Sequence, residues 1–316
     1  MFEFKDVYIN KYYTLAGPLE KENGLKNCDF FIKDYYYGAK TIEQAESKMQ
    51  KTVLNNLINK EKPDVILSSD LTNQLTASAL GSVDSGIPHM GLYSACASFS
   101  SILITLGSFI MSKHIKKGIC LISSHCLAAE KQFRFPVEYG APKPKRSSQT
   151  ATAAIGIEVS SKESNIKIVR GMLGKVLDSG VKDAHNMGAI MAPSAVDTLI
   201  NFLKESKTKV TDYDVILTGD LGKTGSSIFK EVLKKEHNLK INNHLDAGGS
   251  IYKDFEYSGA SGPAVLPLIL LTRILSSKKY KKILCLATGS LHSSLLVNQK
   301  NSIPTVTHAI YLEVNK

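Results

Sequence analysis

The stretches PDVILSSD, residues 63–70, and YDVILTGD, residues 213–220, decide the fold of this 316-residue chain. Each is a run of apolar residues that ends in small residues and an aspartate, Asp70 in the first and Asp220 in the second. Continuous apolar runs of this length are typical of strands buried on both faces of a sheet. Their recurrence at an offset of 150 residues indicates an internal duplication.

Two further pairs of segments repeat in the same order. SACASFSSILITLG, from Ser94, matches SGASGPAVLPLILL, from Ser258, at an offset of 164 residues. KKGICLISS, residues 116–124, matches KKILCLATG, residues 281–289, at an offset of 165 residues. The three matches predict two equivalent halves, residues 1–160 and 161–316, with an irregular excursion over 125–150 in the first half.

The order of elements within each half indicates the fold class. Both halves have the pattern of a strand, a helix, a small-residue turn, a buried helix and a strand. Strands that alternate with helices are typical of α/β proteins. The predicted buried helices are 97–113 and 261–275. The predicted strands are 65–68, 118–123, 153–159, 215–218, 283–287 and 306–314.

The composition excludes several classes of protein. The net charge is +10, but the lysines are scattered and no nucleic-acid motif occurs, so nucleic acid is not an expected partner. The five cysteines have no CxxC spacing, which is typical of a reduced, intracellular protein. The N-terminus has no apolar signal core, and the longest apolar stretches, near 101–111 and 264–272, are too short to span a bilayer. The chain is therefore expected to be soluble, or at most peripheral on a membrane.

Cys96 is the first candidate for a functional side chain. It lies in GLYSACASFSS, where an apparent strand ends and an apolar helix begins. Backbone N–H groups and the positive end of the helix dipole lower the pKa of a thiol in such a position. A buried structural cysteine is the alternative, since unpaired cysteines are often buried. Position alone leaves both interpretations open.

Candidate partners of Cys96 come from the second half. His244, in INNHLDAGGSIY, can act as a base or as a donor to an anion, and Asp246 can orient it; an exposed loop histidine and an Asx turn are the alternatives. The small residues 258–262 form a nest of N–H groups that suits a carboxylate or phosphate, or else a simple helix cap. Gly289 and Ser290 form a similar turn. No metal-ligand spacing and no nucleotide-binding glycine motif occurs, so no metal site is predicted.

The duplicated halves, Cys96 before a buried helix and the SGASG turn resemble the thiolase and ketoacyl synthase superfamily. The resemblance implies a duplicated αβαβα sandwich of five layers, with Cys96 at the nucleophile position and His244 at the position of the assisting histidine. The third family residue, a histidine or asparagine, falls on Glu256. A carboxylate there would repel a developing oxyanion. The resemblance therefore favours a protein that is not an enzyme, with a ketoacyl synthase or acyltransferase using Cys96 as the alternative.

A closer similarity covers nearly the whole chain. The segments SSHCLAAEKQFRFPVEYGAPKP, residues 123–144, DSGVKDAHNMGAIMAPSAVDT, residues 178–198, and QKNSIPTVTHA, residues 299–309, resemble the stage V sporulation protein AD family. Arg134 and Tyr139 belong to its most specific stretch, FRFPVEYG. The resemblance implies a sporulation protein that binds dipicolinic acid and takes part in its uptake into the developing spore. It also implies peripheral association with the spore inner membrane, beside other stage V sporulation A proteins.

This resemblance leads to expectations about the ligand site and the assembly. No cofactor is expected, and dipicolinate is the expected ligand, with or without Ca²⁺. The residues expected to bind it are Cys96, His244, Asp246, Glu256, Ser258, Gly259, Gly289 and Ser290. Thiolase-like proteins usually pair through the edge of the first half's sheet, and GIPHMGLYSA, residues 86–95, is a candidate edge strand. A homodimer is therefore expected.

Overall fold

The computed structural model describes residues 1–58, 61–133, 143–252 and 256–315 of the chain. Within these ranges the strands are β1 (Phe2–Glu3), β2 (Tyr8–Ala16), β3 (Phe30–Phe31), β4 (Val65–Ser69), β5 (His89–Gly91), β6 (Lys117–Ser124), β7 (Ser148–Thr150), β8 (Ala153–Ser160), β9 (Ile166–Met172), β10 (Val215–Thr218), β11 (His244–Asp246), β12 (Gly259–Ser261), β13 (Lys282–Ser290) and β14 (Thr305–Val314). The helices are α1 (Pro18–Glu22), α2 (Ile42–Leu57), α3 (Thr76–Ser82), α4 (Ser98–Met111), α5 (Cys126–Phe133), α6 (Met187–Ser206), α7 (Gly222–His237), α8 (Ala247–Ile251), α9 (Val265–Ile269) and α10 (Ser294–Asn298). Short 3₁₀ turns occupy Asn73–Leu75 and Val210–Asp212, and α9 continues as π-helical turns over Leu270–Leu275.

Most of the strands form one sheet that passes through both halves of the chain. Its order is β11-β10-β13-β14-β9-β2-β8-β6-β4-β5, with β1 paired to β9 and β3 paired to β2. The halves meet where β9 pairs with β1 and β2 from the start of the chain. A separate two-stranded sheet pairs β7 of the first half with β12 of the second. Strand β5 lies at one end of the main sheet, as expected for an edge strand.

The sequence repeat corresponds to a repeat in strand register. Val65 of β4 pairs with Gly118 of β6, and the equivalent Val215 of β10 pairs with Ile283 of β13. Both pairs of strands are parallel. The predicted equivalence of the two strand pairs is therefore confirmed residue by residue.

Asp64 and Asp214 show the same repeat in their hydrogen bonds. Each aspartate precedes its strand and accepts two backbone N–H bonds from the lysine pair that opens the neighbouring strand. The distances to Asp64 Oδ2 are 2.7 and 3.0 Å, and those to Asp214 Oδ2 are 2.6 and 2.9 Å. These bonds fix the start of each parallel strand pair, which accounts for the repeated DV…KK pattern of the sequence.

Alternate residues along the strands pack into different hydrophobic cores. In β4, Ile66 packs with α2, whereas Leu67 packs in a central core with α4 and α9. In β10, Leu217 joins the same central core, whereas Ile216 packs with α6 and α7. This alternation follows from the two-residue period of a strand. The part of the sheet that contains β4 thus lies between a layer of α2 with α3 and a central layer of α4 with α9. The part that contains β10 lies between this central layer and a layer of α6 with α7. This is the predicted five-layer arrangement.

Helix α9 begins later than the sequence predicts. The predicted helix starts at 261, but Gly259–Ser261 is strand β12 and α9 begins at Val265. Gly262, with a φ of 119°, has a backbone conformation that no helix contains. Its carbonyl oxygen accepts a hydrogen bond from Val265 N at 3.0 Å as the helix starts.

Within the described residues, no helix is both long enough and apolar enough to cross a bilayer.

The excursion over 125–150 is more regular than the sequence predicts. Its first part is helix α5, because CLAAEKQF is rich in good helix formers. Its last part includes β7, which pairs with β12. Residues 134–142, including Arg134 and Tyr139, lie outside the described residues. The excursion therefore joins the two halves beside the candidate site.

Candidate functional site

A cavity of about 570 Å³ lies at the carboxyl ends of β10 and β13, next to the turn before α4. Its size is in the usual range for small-molecule sites. Both halves of the chain contribute to its lining, which includes Cys96, Lys143, Ser147, Asp220, Gly262, Ser290 and His292. The site thus lies between the duplicated halves.

A tight turn presents Cys96 to the cavity. Ala95 has a φ of 48°, and Ala97 N donates to Ser94 O at 3.0 Å, so the chain reverses immediately before α4. Ser98 Oγ holds the turn by donating to Ala95 O at 2.7 Å. A non-glycine residue with positive φ is strained, and its neighbours must hold it in place. The sequence SACAS therefore places the Cys96 thiol in the cavity lining, at the start of the buried helix α4.

The second half packs closely against the Cys96 turn through Gly289. A Cβ at Gly289 would lie 2.6 Å from Ser94 O and 2.9 Å from Ala97 N, so no larger residue fits there. Because Gly289 is near the end of β13, this approach brings the following Ser290 to the cavity. The tiny residues of both repeats are therefore needed for contact between the halves.

Asp220, from the second half, lines the cavity with Cys96 and lies close enough to influence the pKa of its thiol. It lies just after β10, where Asp220 Oδ1 accepts from Thr288 Oγ1 at 2.7 Å and Oδ2 accepts from Gly262 N at 3.2 Å. Burial raises the pKa of Asp220 to about 6, although hydrogen bonds from Cys96, Thr288 and Gly262 oppose the rise. Asp220 is therefore mainly ionised at neutral pH.

The Cys96 thiol is held in its protonated form. Burial raises the pKa of Cys96 well above its ordinary value, and the charge of Asp220 raises it further. The positive end of α4 acts in the opposite direction, but a helix end carries only about half an elementary charge, less than a full carboxylate in contact with the sulfur. At neutral pH the thiol thus keeps its proton.

Three polar atoms of the cavity lining have no hydrogen-bond partner among the described residues. They are Ser147 Oγ, Ser290 Oγ and His292 Nδ1. Ser147 is 5% exposed and Ser290 is 8% exposed, so bulk water does not readily satisfy them. A buried polar group without a partner costs about 1–3 kcal/mol. These atoms indicate a place where a ligand or ordered water belongs.

Charged and aromatic groups flank the unpartnered atoms. Lys143 Nζ forms an ion pair with Glu130 and also donates to Gln149 Oε1 at 3.0 Å. The His292 ring packs edge-on against Phe133, with 5.0 Å between ring centroids. Burial lowers the pKa of His292, and the nearby His185 lowers it further. Asp220 is thus the carboxylate of the lining that no cation balances within the described residues.

Some of the residues expected at the site meet there. Cys96 and Ser290 line the cavity. Gly289 lies directly behind the Cys96 turn. Ser258 and Gly259 support the wall from outside: Ser258 N donates to Ser147 O at 2.8 Å, and Gly259 pairs with Ser148.

The other expected residues lie away from the cavity lining. His244 is in β11, with Nε2 2.8 Å from Thr218 Oγ1, and its ring packs on Phe229. Asp246 accepts backbone N–H bonds from Gly222 and Gly249 at 2.8 and 2.7 Å and so anchors two helix starts. Glu256 is exposed. None of these three lines the cavity with Cys96, and the His244 ring instead packs against helix α7 through Phe229.

Asp220, Ser147 and His292 were not singled out as site residues by the sequence. Asp220 had a visible signal, since it ends the repeat YDVILTGD that decides the fold. Ser147 and His292 had none, because they become neighbours only through contacts between the halves. Among the described residues, no group of three or more histidine, cysteine or acidic side chains is arranged to hold a metal ion.

Comparisons with solved structures agree with this architecture. OleA of Xanthomonas campestris, in a cerulenin-bound crystal structure, is 13% identical, with a TM-score of 0.63 over 98% of this chain and all of that one (100%). 3-Oxoacyl-[acyl-carrier-protein] synthase III of Aquifex aeolicus is 14% identical, with a TM-score of 0.56 over 97% of each chain. At such identities the likeness concerns the fold alone, which is thiolase-like.

Comparisons of sequence are more specific. Stage V sporulation protein AD of Bacillus subtilis is 32% identical over 318 residues, which cover 97% of this chain and 94% of the relative. The family model described as stage V sporulation protein AD matches residues 2–313. The match thus extends over nearly all of the 316 residues. The chain belongs to the stage V sporulation protein AD family.

Proposed function

We propose that this protein binds dipicolinate in the Cys96 cavity and takes part in its uptake into the developing spore, without catalysing a reaction. The observation that carries the proposal is a set of three buried atoms in one cavity, Ser147 Oγ, Ser290 Oγ and His292 Nδ1, that have no partner among the residues the structure describes. The family membership supports the role in sporulation.

The chemistry of dipicolinate suits these atoms. It is a flat pyridine with two carboxylates, and each carboxylate accepts several hydrogen bonds. The hydroxyls of Ser147 and Ser290 are donors that have no partner in the described part of the chain, and His292 is a further donor in the tautomer that carries its proton on Nδ1. Hydrogen bonds to a charged group contribute about 1.5–3 kcal/mol each. The edge-on ring pair of His292 and Phe133 adds a flat aromatic surface nearby.

The negative charge of Asp220 limits which form of the ligand can bind. A dianion next to a buried carboxylate is unfavourable, because repulsion is strong in a low-dielectric site. A calcium ion held by dipicolinate would cancel the ligand's charge, and carboxylate oxygens are suitable calcium ligands. We therefore favour the calcium complex of dipicolinate as the bound form.

Acyl transfer through Cys96 is the second candidate function. It is favoured by the position of Cys96 on an open cavity before α4, as in the resembling synthases. It is disfavoured by the raised pKa of Cys96, to which burial contributes most and the charge of Asp220 adds. Exposed Glu256 supplies no oxyanion donor to the cavity. Binding is therefore the better-supported function.

We further propose peripheral association with the spore inner membrane, in contact with the other stage V sporulation A proteins, and a homodimer formed through β5. The basic character of the chain, with a net charge of +10, suits an anionic membrane surface. Helix α3 packs beside β5, and Leu80 of α3 and Val83 at its C-terminal end are each 51% exposed. Such an edge is a natural place for another copy to pair.

Isothermal titration calorimetry with dipicolinate, with and without calcium, tests the binding function. Ser147→Ala and Ser290→Ala each remove one unpartnered hydroxyl and are expected to weaken binding about tenfold, which corresponds to about 1.4 kcal/mol. Ser226→Ala is the matched control, since Ser226 Oγ also lacks a partner but lies on α7 outside the cavity lining. Absence of heat with the parent protein, or a Ser147/Ser290 double variant that binds like the parent, would contradict the proposal.

A further inference from the structure

Two turns of the fold concentrate positive charge. Residues 112–117 join α4 to β6, and residues 276–282 lead from the helical turns after α9 into β13. These two segments, the lysine turns, together contain seven lysines and no acidic residue. Three lysines of the first turn recur in the second at an offset of 165 residues: Lys113 as Lys278, Lys116 as Lys281, and Lys117 as Lys282. The repeat therefore places lysines at equivalent positions in both halves.

Both lysine turns lie at the end of the molecule opposite the cavity. Helix α4 begins beside Cys96 and α9 begins after Gly262, which both line the cavity, and both helices pack in the central core. Strands β6 and β13 return the chain towards the cavity. β13 ends at Ser290 in the lining, and β6 ends at Ser124, which lies against Gly262. Because strands of this length span about 25 Å, the lysine turns are about 25 Å from the cavity.

The other connections at this end of the molecule do not offset the lysine turns. They contain six lysines and six acidic residues, so their own charges cancel. These connections are residues 4–7, 161–165 and 238–243, with 61–64 and 207–214. Lysines that are scattered along the sequence are thus gathered by the fold, and the two turns give this end of the molecule a large share of the net charge of +10.

Most lysines of the two turns have no acidic partner in the described part of the chain. Lys117 pairs with Glu158 at 3.9 Å. Asp64 and Asp214 lie beside the turns, but each uses its Oδ2 atom to accept two backbone N–H bonds. The lysines that are exposed and form no ion pair with a described residue are Lys113, Lys116, Lys278, Lys279, Lys281 and Lys282.

Apolar groups accompany these charges. A second cavity, of about 210 Å³, adjoins the turn 276–282, and leucine and isoleucine side chains form much of its lining. Arg273, Lys279 and Tyr280 also line it, and the Arg273 guanidinium donates to two backbone carbonyls. Beside the other turn, Met111 at the end of α4 is 46% exposed. Cations next to apolar surface suit a partner with acidic head groups and apolar tails better than they suit a nucleic acid or an acidic protein.

We propose that the lysine turns bind the surface of an anionic lipid bilayer, with the Cys96 cavity turned away from the membrane. The proposal rests on the proposed peripheral association and specifies its surface and lipid class, but it does not depend on dipicolinate. Lysine suits a fluid layer of head groups, because its ammonium is a compact charge, whereas arginine presents a rigid fork that matches one phosphate. The two turns contain no arginine. Each lysine near such a surface contributes about fivefold to binding, or about 1 kcal/mol.

Flotation with lipid vesicles tests the proposal. The parent protein is expected to bind vesicles of phosphatidylcholine with about 30% phosphatidylglycerol at least about tenfold more strongly than vesicles of phosphatidylcholine alone. An increase in salt from about 0.1 to about 1 M shortens the Debye length from about 10 to about 3 Å and should release the protein. A parent that does not prefer the anionic vesicles would overturn the proposal.

A matched pair of variants identifies the binding surface. The face variant combines Lys113→Gln, Lys116→Gln, Lys278→Gln and Lys281→Gln. The control variant changes the net charge equally at the cavity end, with Lys145→Gln, Lys175→Gln, Lys182→Gln and Lys300→Gln. Each control lysine is within two residues of the cavity lining or of the bridge between Leu177 and Thr305 beside Ser290. The face variant should bind anionic vesicles about 100-fold more weakly than the parent, and the control variant nearly as well as the parent.

The outcomes separate this proposal from the ligand site. Equal losses in the two variants would show an effect of net charge alone and would overturn the assignment of the surface. Calorimetry with dipicolinate should give the same affinity for the face variant as for the parent, because the cavity is about 25 Å away. A face variant that loses vesicle binding but keeps its unfolding midpoint in urea supports the proposal whether or not dipicolinate binds.

Acetylation of lysines, followed by peptide mass mapping, tests the orientation without any substitution. Anionic vesicles should slow the acetylation of Lys116 and Lys281 several-fold and leave Lys175 and Lys300 unchanged. Protection of Lys175 and Lys300 instead would show that the cavity end meets the membrane, and equal acetylation with and without vesicles would show that neither end does. Either result would overturn the proposal.

Discussion

Cys96 of the first half and Asp220 of the second half line the same cavity, close enough for each side chain to influence the pKa of the other. The cysteine comes from the turn before α4, and the aspartate follows β10, so this proximity exists only when the halves are assembled. It places a carboxylate beside the thiol, where the sequence analysis expected His244. At neutral pH the cavity therefore presents an ionised carboxylate beside the thiol.

Binding of dipicolinate without calcium is expected to weaken as the pH rises from 5 to 7.5. Asp220 has a pKa of about 6, so it is mostly neutral at pH 5 and mostly ionised at pH 7.5, when it repels the ligand. The affinity should fall about tenfold over this range. Asp220→Asn should abolish this part of the dependence, which separates it from titration of the cavity histidines. Calcium should reduce the dependence in the parent. Calorimetry that shows affinity increasing with pH would contradict this picture.

His244→Ala is expected to leave ligand binding unchanged and to destabilise the fold by about 2 kcal/mol, a usual size for loss of a buried, hydrogen-bonded side chain. His244 bonds Thr218 and packs on Phe229, away from the cavity lining. Burial lowers its pKa to about 4, below its unfolded value, so the parent should lose stability as the pH falls from about 6.5 towards 4. The variant should lack this loss. Urea unfolding at several pH values measures this loss of stability. Weakened dipicolinate binding by a normally folded variant would show that His244 does belong to the ligand site.

Glu46→Gln is expected to stabilise the protein increasingly as the pH rises. Glu46 is fully buried, accepts a hydrogen bond from Ser123 Oγ at 2.8 Å, and has a pKa raised to about 8 by burial and by Asp70. Because its unfolded pKa is near 4.5, the parent loses stability as the pH rises from 4.5 towards 8, by about 3 kcal/mol at pH 7. Glutamine keeps the acceptor without the charge.

Chemical unfolding at pH 5 and pH 7 measures this difference, which should be small at the lower pH. Glu43→Gln is the control on the same helix, because Glu43 is partly exposed and pairs with Lys131 at the surface. It should change the free energy of unfolding by less than about 1 kcal/mol. An equal effect of Glu46→Gln at both pH values would show that its benefit does not come from ionisation.

The homodimer is expected to depend on the edge of the sheet at β5. Replacement of Leu80 and Val83 by glutamate puts charge next to this edge, and light scattering at micromolar concentration should then detect monomer where the parent is a dimer. Leu295→Glu, an exposed apolar position at the other end of the chain, is the control and should leave the dimer intact. A parent that is monomeric at these concentrations would contradict the expectation.

The sequence predicted the elements that repeat better than the site. The strands at Val65 and Val215 were identified because continuous apolar runs of this length are typical of strands buried on both faces. Their shared register confirmed the duplication. Strand β11 has only three residues, too few to show a period of two, so His244 was assigned to a loop. The neighbours of Cys96 could not be read from the sequence, because Asp220 and Ser290 reach it through contacts between the halves.

The shared sheet has a kinetic consequence. A hinge motion that separated the two halves around the cavity would have to break the backbone pairs that Tyr8 and Ile9 of β2 make with β9. Such domain motions take microseconds to milliseconds. The edge-on ring pair of Phe133 and His292 at the lining can instead rotate in place, and side-chain rotations take picoseconds to nanoseconds where they are exposed. A ligand is therefore expected to meet a frame that stays still, with adjustment of the cavity confined to side chains such as these two rings.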